Sequence, residues 1–160
     1  MVIEVPTKPN EVPDLKQRDV RESVTKGRTK TEYYSISATA FHSIHPDIDD
    51  VTIATQYLRA DADGILFETG INLPHGAVVT SVIVYGNDAA EDEEFFLVRN
   101  EKATGTQTNL SADTNINTKD TSIDNATIDN SNYTYGLVTT SLDTNDRIYG
   151  GIITYTIDTI

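Results

Sequence analysis

Residues 71–88 read INLPHGAVVTSVIVYGND, and this stretch decides the fold. It opens with a turn, Leu73-Pro74-His75-Gly76, and runs into the most hydrophobic part of the chain, residues 77–85. Along an extended backbone Val78, Thr80, Val82 and Val84 point one way, and Val79, Ser81, Ile83 and Tyr85 the other. β-Branched side chains dominate, which suits a pleated sheet and disfavours a helix. Both faces are largely apolar, so the spacing predicts a central strand covered on both sides. Gly86-Asn87-Asp88 then supplies turn chemistry.

Working outward, no segment carries helical periodicity. The body is expected to begin at Thr31, with strands over residues 31–40, 51–59, 65–69, 77–85, 94–99, 106–110, 133–140 and 147–157. In the second of these, Val51, Ile53, Thr55 and Tyr57 would share a face. Residues 42–47, 60–64, 100–105 and 142–146 read as loops or turns, and Gly150-Gly151 as a bulge or a close backbone approach. Residues 112–132 are rich in Asp, Asn and Thr, with isolated isoleucines at 116, 123 and 128 that predict partial pairing along a sheet edge. About eight short strands make this an all-β protein, a β-sandwich or jelly-roll-like domain over residues 31–160.

Residues 1–30 read as an extended N-terminal arm. Pro6, Pro9 and Pro13 oppose a helix, and residues 16–30 lack an apolar stripe. The formal net charge is −13, but it is unevenly placed. The arm holds seven Lys/Arg against five Asp/Glu, and the remainder five against twenty. So acidic a body would repel nucleic acid and anionic membrane, and neither is expected as a partner. There is no cysteine, which removes disulfides and thiolate metal sites. The first residues, MVIEVPTKPNEVPD, lack the apolar core of a secretory signal.

Chemistry-bearing constellations are weak. His42, His45 and His75 read as loop and turn residues. Asp47-Ile48-Asp49-Asp50 and Asp61-Ala62-Asp63-Gly64 look like calcium-loop fragments. An EF-hand needs Gly at the sixth position and Glu at the twelfth, and counting from Asp61 these are Leu66 and Asn72. Glu91, Asp92, Glu93 and Glu94 form an acidic run, read as hydrated surface or a docking patch for a basic arm. Asn109, Asn125 and Asn132 begin N-x-Ser/Thr sequons. No nucleophile elbow, phosphate loop or zinc-protease motif is present, so the expectation is a non-enzyme without cofactor or metal.

Several of these stretches together carry a resemblance: Leu73-Pro74-His75-Gly76-Ala77 leading into SVIVYGND, then EFFLVR at 94–99, DNATIDNSNYTY at 124–135, and RIYGGIITY at 147–155. Over about residues 36–157 the chain resembles a β-sandwich module that recurs in uncharacterised bacterial and environmental proteins and is similar to phage virion accessory (decoration or fibre) modules. The resemblance implies a sandwich and offers no catalytic residues. Residues 1–30 lie outside it.

The expected function is that of a structural, non-catalytic assembly protein: a virion decoration, fibre or tail accessory subunit, or a filament subunit. Its location would be a virion or an extracellular filament. Its partners would be copies of itself, with a trimer favoured, and a capsid or tail scaffold protein. The arm would dock on a neighbour through the apolar anchors Val2, Ile3, Val5, Val12 and Leu15 and the charges Lys16, Arg18, Arg21, Lys26, Arg28 and Lys30, with an edge strand near residues 106–128 or at the C-terminus accepting it. The competing expectation is a glycan-binding module using Tyr33, Tyr34, Tyr57, Tyr133 and Tyr135 as platforms. Three or more tyrosines on one exposed concave face would separate the two.

Overall fold

A computed structural model of the chain describes residues 27–87 and 93–159. Eleven strands form two antiparallel sheets that face one another across a shared core. In the first sheet β1 (Arg28–Ser37) and β6 (Val78–Asn87) flank β11 (Arg147–Thr159). On the β1 side, β11 also pairs with β4 (Leu58–Ala60), which in turn pairs with β3 (Val51–Ile53). The second sheet runs β2 (His42–Ser43), β5 (Phe67–Ile71), β10 (Tyr133–Thr139), β7 (Glu94–Glu101) and β8 (Gln107–Asn109), with β9 (Thr114–Asn115) also on β7.

Alternation along the strands builds the core. Val82, Val84, Ile36 and Ile153 face inward from the first sheet. Phe67, Ile71, Phe95, Leu97, Tyr135 and Leu137 face them from the second. The organising strand is buried on both faces from Ser81 to Val84, as its two apolar faces predict. It runs two residues past Tyr85, however. Gly86 and Asn87 pair with Ile148 and Arg147, so the Gly-Asn pair belongs to the ladder and not to the turn.

Three further departures have physical causes. Residues 51–59 are not one strand. The chain reverses there, with the Ala54 N–H donating to the Tyr57 carbonyl, and no Gly or Pro announces the turn. His42 and Ser43 form a short strand because they reach the edge of β5, where a loop was expected. The sandwich also takes in Arg28, Thr29 and Lys30, assigned by sequence to the arm, because they pair with Thr159, Asp158 and Ile157.

Two glycine features and one long segment complete the first sheet. Between Ile148 and Gly150 the register against β6 shifts, leaving Tyr149 as the extra residue of a bulge. Gly150 has φ +141°, and a Cβ there would collide with the Ile36 carbonyl, so the bulge expected at Gly150-Gly151 is present and requires glycine. Residues 116–128 cover the outer edge of β6, with bridges Val82↔Asp120 and Val78↔Thr127. Ile116 and Ile128 are buried and Ile123 packs against the core, as the isolated isoleucines predict.

Candidate functional site

The sequence-predicted arm meets the body at β1. Val2, Ile3, Val5, Val12, Leu15, Lys16, Arg18, Arg21 and Lys26 lie outside the described residues. Arg28 and Lys30 lie within β1. Lys30 forms an ion pair with Glu32, two residues on and on the same face of the strand, and the Glu32 carboxylate holds the ammonium above the ordinary lysine range. Thr29 Oγ1 donates to Asp158 Oδ1 at 2.9 Å and Thr159 Oγ1 donates to the Arg28 carbonyl at 2.7 Å, which fastens the start of β1 to the end of β11.

The acidic run does not act as one exposed patch. Glu91 and Asp92 lie outside the described residues. Glu93 is buried, 3 % exposed, and its carbonyl accepts the Ile116 N–H. Glu94 is half-buried at the start of β7, where its backbone N–H donates to Thr140 Oγ1. With Glu93 buried just before β7 and Glu94 half-buried at its start, these two do not form an exposed acidic surface.

The other singled-out groups have local partners. Asp61 accepts from Thr52 Oγ1 at 2.6 Å and from Arg59 Nε at 2.5 Å, and these two contacts hold its carboxyl below the usual carboxylate range. Asp63 is lowered in the same way by the Thr144 hydroxyl and N–H. His42 Nε2 lies 3.3 Å from Glu68, and His75 Nδ1 accepts the Asn130 N–H at 3.1 Å. The loop over residues 44–48 lines a shallow concavity of about 290 Å³ and leaves Ile48 exposed.

The tyrosines sort by strand parity. Tyr135 is core, and its hydroxyl accepts the Asp129 N–H. Tyr34 packs against the core, while Tyr133 lies under Arg99 and Tyr57 under Arg147, with the guanidinium carbons 4.3 and 4.6 Å from the ring centres. Of the five proposed platforms, Tyr33 is the one that is fully exposed, at 68 %.

Tyr33 does not stand alone, because cross-strand pairing places it on a face with others. Opposite residues in an antiparallel ladder share a side. The outer face of the first sheet therefore reads in rows: Thr31, Thr156 and Val78; Tyr33, Thr154 and Ser81; Ser35, Ile152 and Ile83; Ser37, Gly150 and Tyr85. Tyr149, pushed out by the bulge, stands next to the last row. Tyr85 and Tyr149 are 39 % and 45 % exposed. Three tyrosines, Val78 and Ile152 thus occupy one face made of the three longest strands; Val78 stands here, and not on the Val82 side that alternation predicts, because the register shifts at Thr80. Tyr85 was legible from its parity against Val84. Tyr149 was not, because its orientation depends on the bulge.

Beside this face lies an open backbone edge. Among the described residues β1 pairs with β11 alone, in unbroken register over all ten residues from Arg28↔Thr159 to Ser37↔Gly150. Its other edge has no partner strand among the described residues, unlike the covered edge of β6. A long, regular, unpaired edge offers backbone donors and acceptors to another strand.

No protein-family model matches the chain, and no curated protein matches its sequence.

Proposed function

We propose that the chain is a structural, non-catalytic assembly subunit, of the kind that decorates a virion or builds a fibre, tail accessory or filament, and that its N-terminal arm docks on a neighbouring subunit. The observation that carries this reading is the placement of β1. The arm precedes in sequence a ten-residue strand whose outer edge has no partner among the described residues, next to an exposed face bearing Tyr33, Tyr85 and Tyr149. An arm entering at that edge leaves the body beside the surface through which a neighbour would be held. The resemblance to phage virion accessory modules supports the same reading.

The test is the solution mass of the full chain beside a chain starting at Gly27, by light scattering at low and high salt. The cut belongs at Gly27 because a start at Thr31 would remove three residues of β1, while all eleven strands lie within residues 27–159. A defined oligomer for the full chain and weaker association for the shortened one, seen as a mass that falls sooner on dilution, are expected. Monomers of both at every salt would overturn the reading.

A second reading has its own observation. Three exposed tyrosines share one face, with Tyr85 and Tyr149 in place of four of the expected residues. Glycan-array binding by the wild type that disappears in Tyr33→Ala and Tyr149→Ala would favour it.

A further inference from the structure

We propose that the free edge of β1 is the contact between copies: two chains pair antiparallel through β1 about a two-fold axis at Thr31, which places Lys30 of each copy opposite Glu32 of the other. The inference rests on the assembly reading and supplies its contact.

Three features of β1 lead to this register. First, the strand is regular. It has no bulge against β11 and no proline, which are devices that blunt sheet edges. Second, its charges are few and ordered. They are Arg28, Lys30 and Glu32, all on one side of the strand. An axis at Thr31 pairs Lys30 with Glu32 twice over. Moving the axis to Lys30 sets Lys30 against Lys30 although it also pairs Arg28 with Glu32, and moving it to Glu32 sets Glu32 against Glu32; of the three, the axis at Thr31 alone makes opposite-charge pairs with no like charges directly opposite. A lone lysine on an edge strand deters any partner, whereas a Lys/Glu couple favours the complementary register over its immediate neighbours. Third, the outer faces join. Tyr33 of one copy comes opposite Thr29 of the other, so the tyrosine-bearing face continues across both chains. Gly27 comes opposite Ser35, so the chain leading into β1 emerges against the neighbouring copy, as the docking of the arm requires.

An edge-to-edge contact of this kind is isologous and closes on itself as a pair. The two Lys30–Glu32 ion pairs within strands, one in each copy, are exchanged for two between strands.

The experiment is charge reversal in the full chain, read as mass against concentration by sedimentation equilibrium, with far-ultraviolet circular dichroism verifying that each variant is folded. Wild type is expected to dimerise. Lys30→Glu alone and Glu32→Lys alone each place like charges opposite one another and are expected to weaken dimerisation by about tenfold or more. An equimolar mixture of the two variants restores complementarity between chains and is expected to dimerise like wild type, as is the double variant. A role confined to the ion pair within one strand predicts no rescue on mixing, and that result would overturn the proposal. A wild-type trimer would also overturn the two-fold contact while leaving the assembly reading in place. A wild-type monomer at every concentration would remove both.

Discussion

The first sheet has two long outer strands, and they are finished differently. The edge of β6 is closed by residues 116–128, which have little regular structure yet meet it at both ends and the middle. Ile128 exchanges backbone hydrogen bonds with Ala77 and Gly76, Asp120 with Val82, and the Asn117 side chain with both backbone groups of Gly86. The edge of β1 has no such cover among the described residues. Unpaired edges invite association, and among the described residues thirteen close one edge while none closes the ten residues of the other, so the two are different kinds of surface.

That contrast can be broken at its centre. Gly150 lies beneath the open edge, against the Ile36 carbonyl of β1. Gly150→Val adds a β-branched side chain at a positive φ and drives it into that carbonyl. A loss of about 4 kcal/mol or more is expected, read by urea denaturation, with β1 leaving the sheet. At the covered edge Ile128→Ala removes a fully buried anchor and should cost about 3 kcal/mol. It should also raise self-association, measured by light scattering, because it loosens the cover of β6. Asn117→Ala is milder. It leaves the Gly86 N–H and carbonyl without their side-chain partner and should cost about 2 kcal/mol by the same denaturation.

The cover also ends in a titratable group. Asp129 follows Ile128 and accepts from Asn132 Nδ2 and the Ser131 N–H, which hold its carboxyl below the ordinary range. A folded-state pKa below the unfolded one contributes stability that is present above the unfolded value and lost as pH falls through the folded one. The midpoint of thermal unfolding should therefore drop on acidification below about pH 5, and less steeply in Asp129→Asn than in wild type. The smallest effect on stability belongs to Tyr33→Ser on the outer face beside the open edge. It should change stability by no more than about 0.5 kcal/mol and still weaken association.

How much of this was legible in the sequence follows from how local each signal is. The organising strand, the buried isoleucines at 116 and 128 and the Gly150 bulge were all visible, because parity, burial and glycine act over a few residues. The hairpin at residues 54–57 was hidden, since Ala-Thr-Gln-Tyr carries no turn residue and Ile53 and Leu58 look continuous in composition. The burial of Glu93, just before β7, was hidden for the opposite reason: four adjacent carboxylates look like one hydrated surface. The exposed face required the pairing of three strands distant in sequence, and no local pattern could bring Tyr33, Tyr85 and Tyr149 together.

The pairing of Arg28 with Thr159 has a mechanical consequence. The first strand begins where the last strand ends, so tension applied between the two ends of the sandwich would open the β1–β11 ladder one rung at a time, like a zipper. Each hydrogen bond would bear the load alone. A load entering through the arm and leaving through a partner strand on the β1 edge would instead run along that strand, where all rungs share it in shear. The same domain would be weak when pulled by its own ends and strong when pulled through its neighbours.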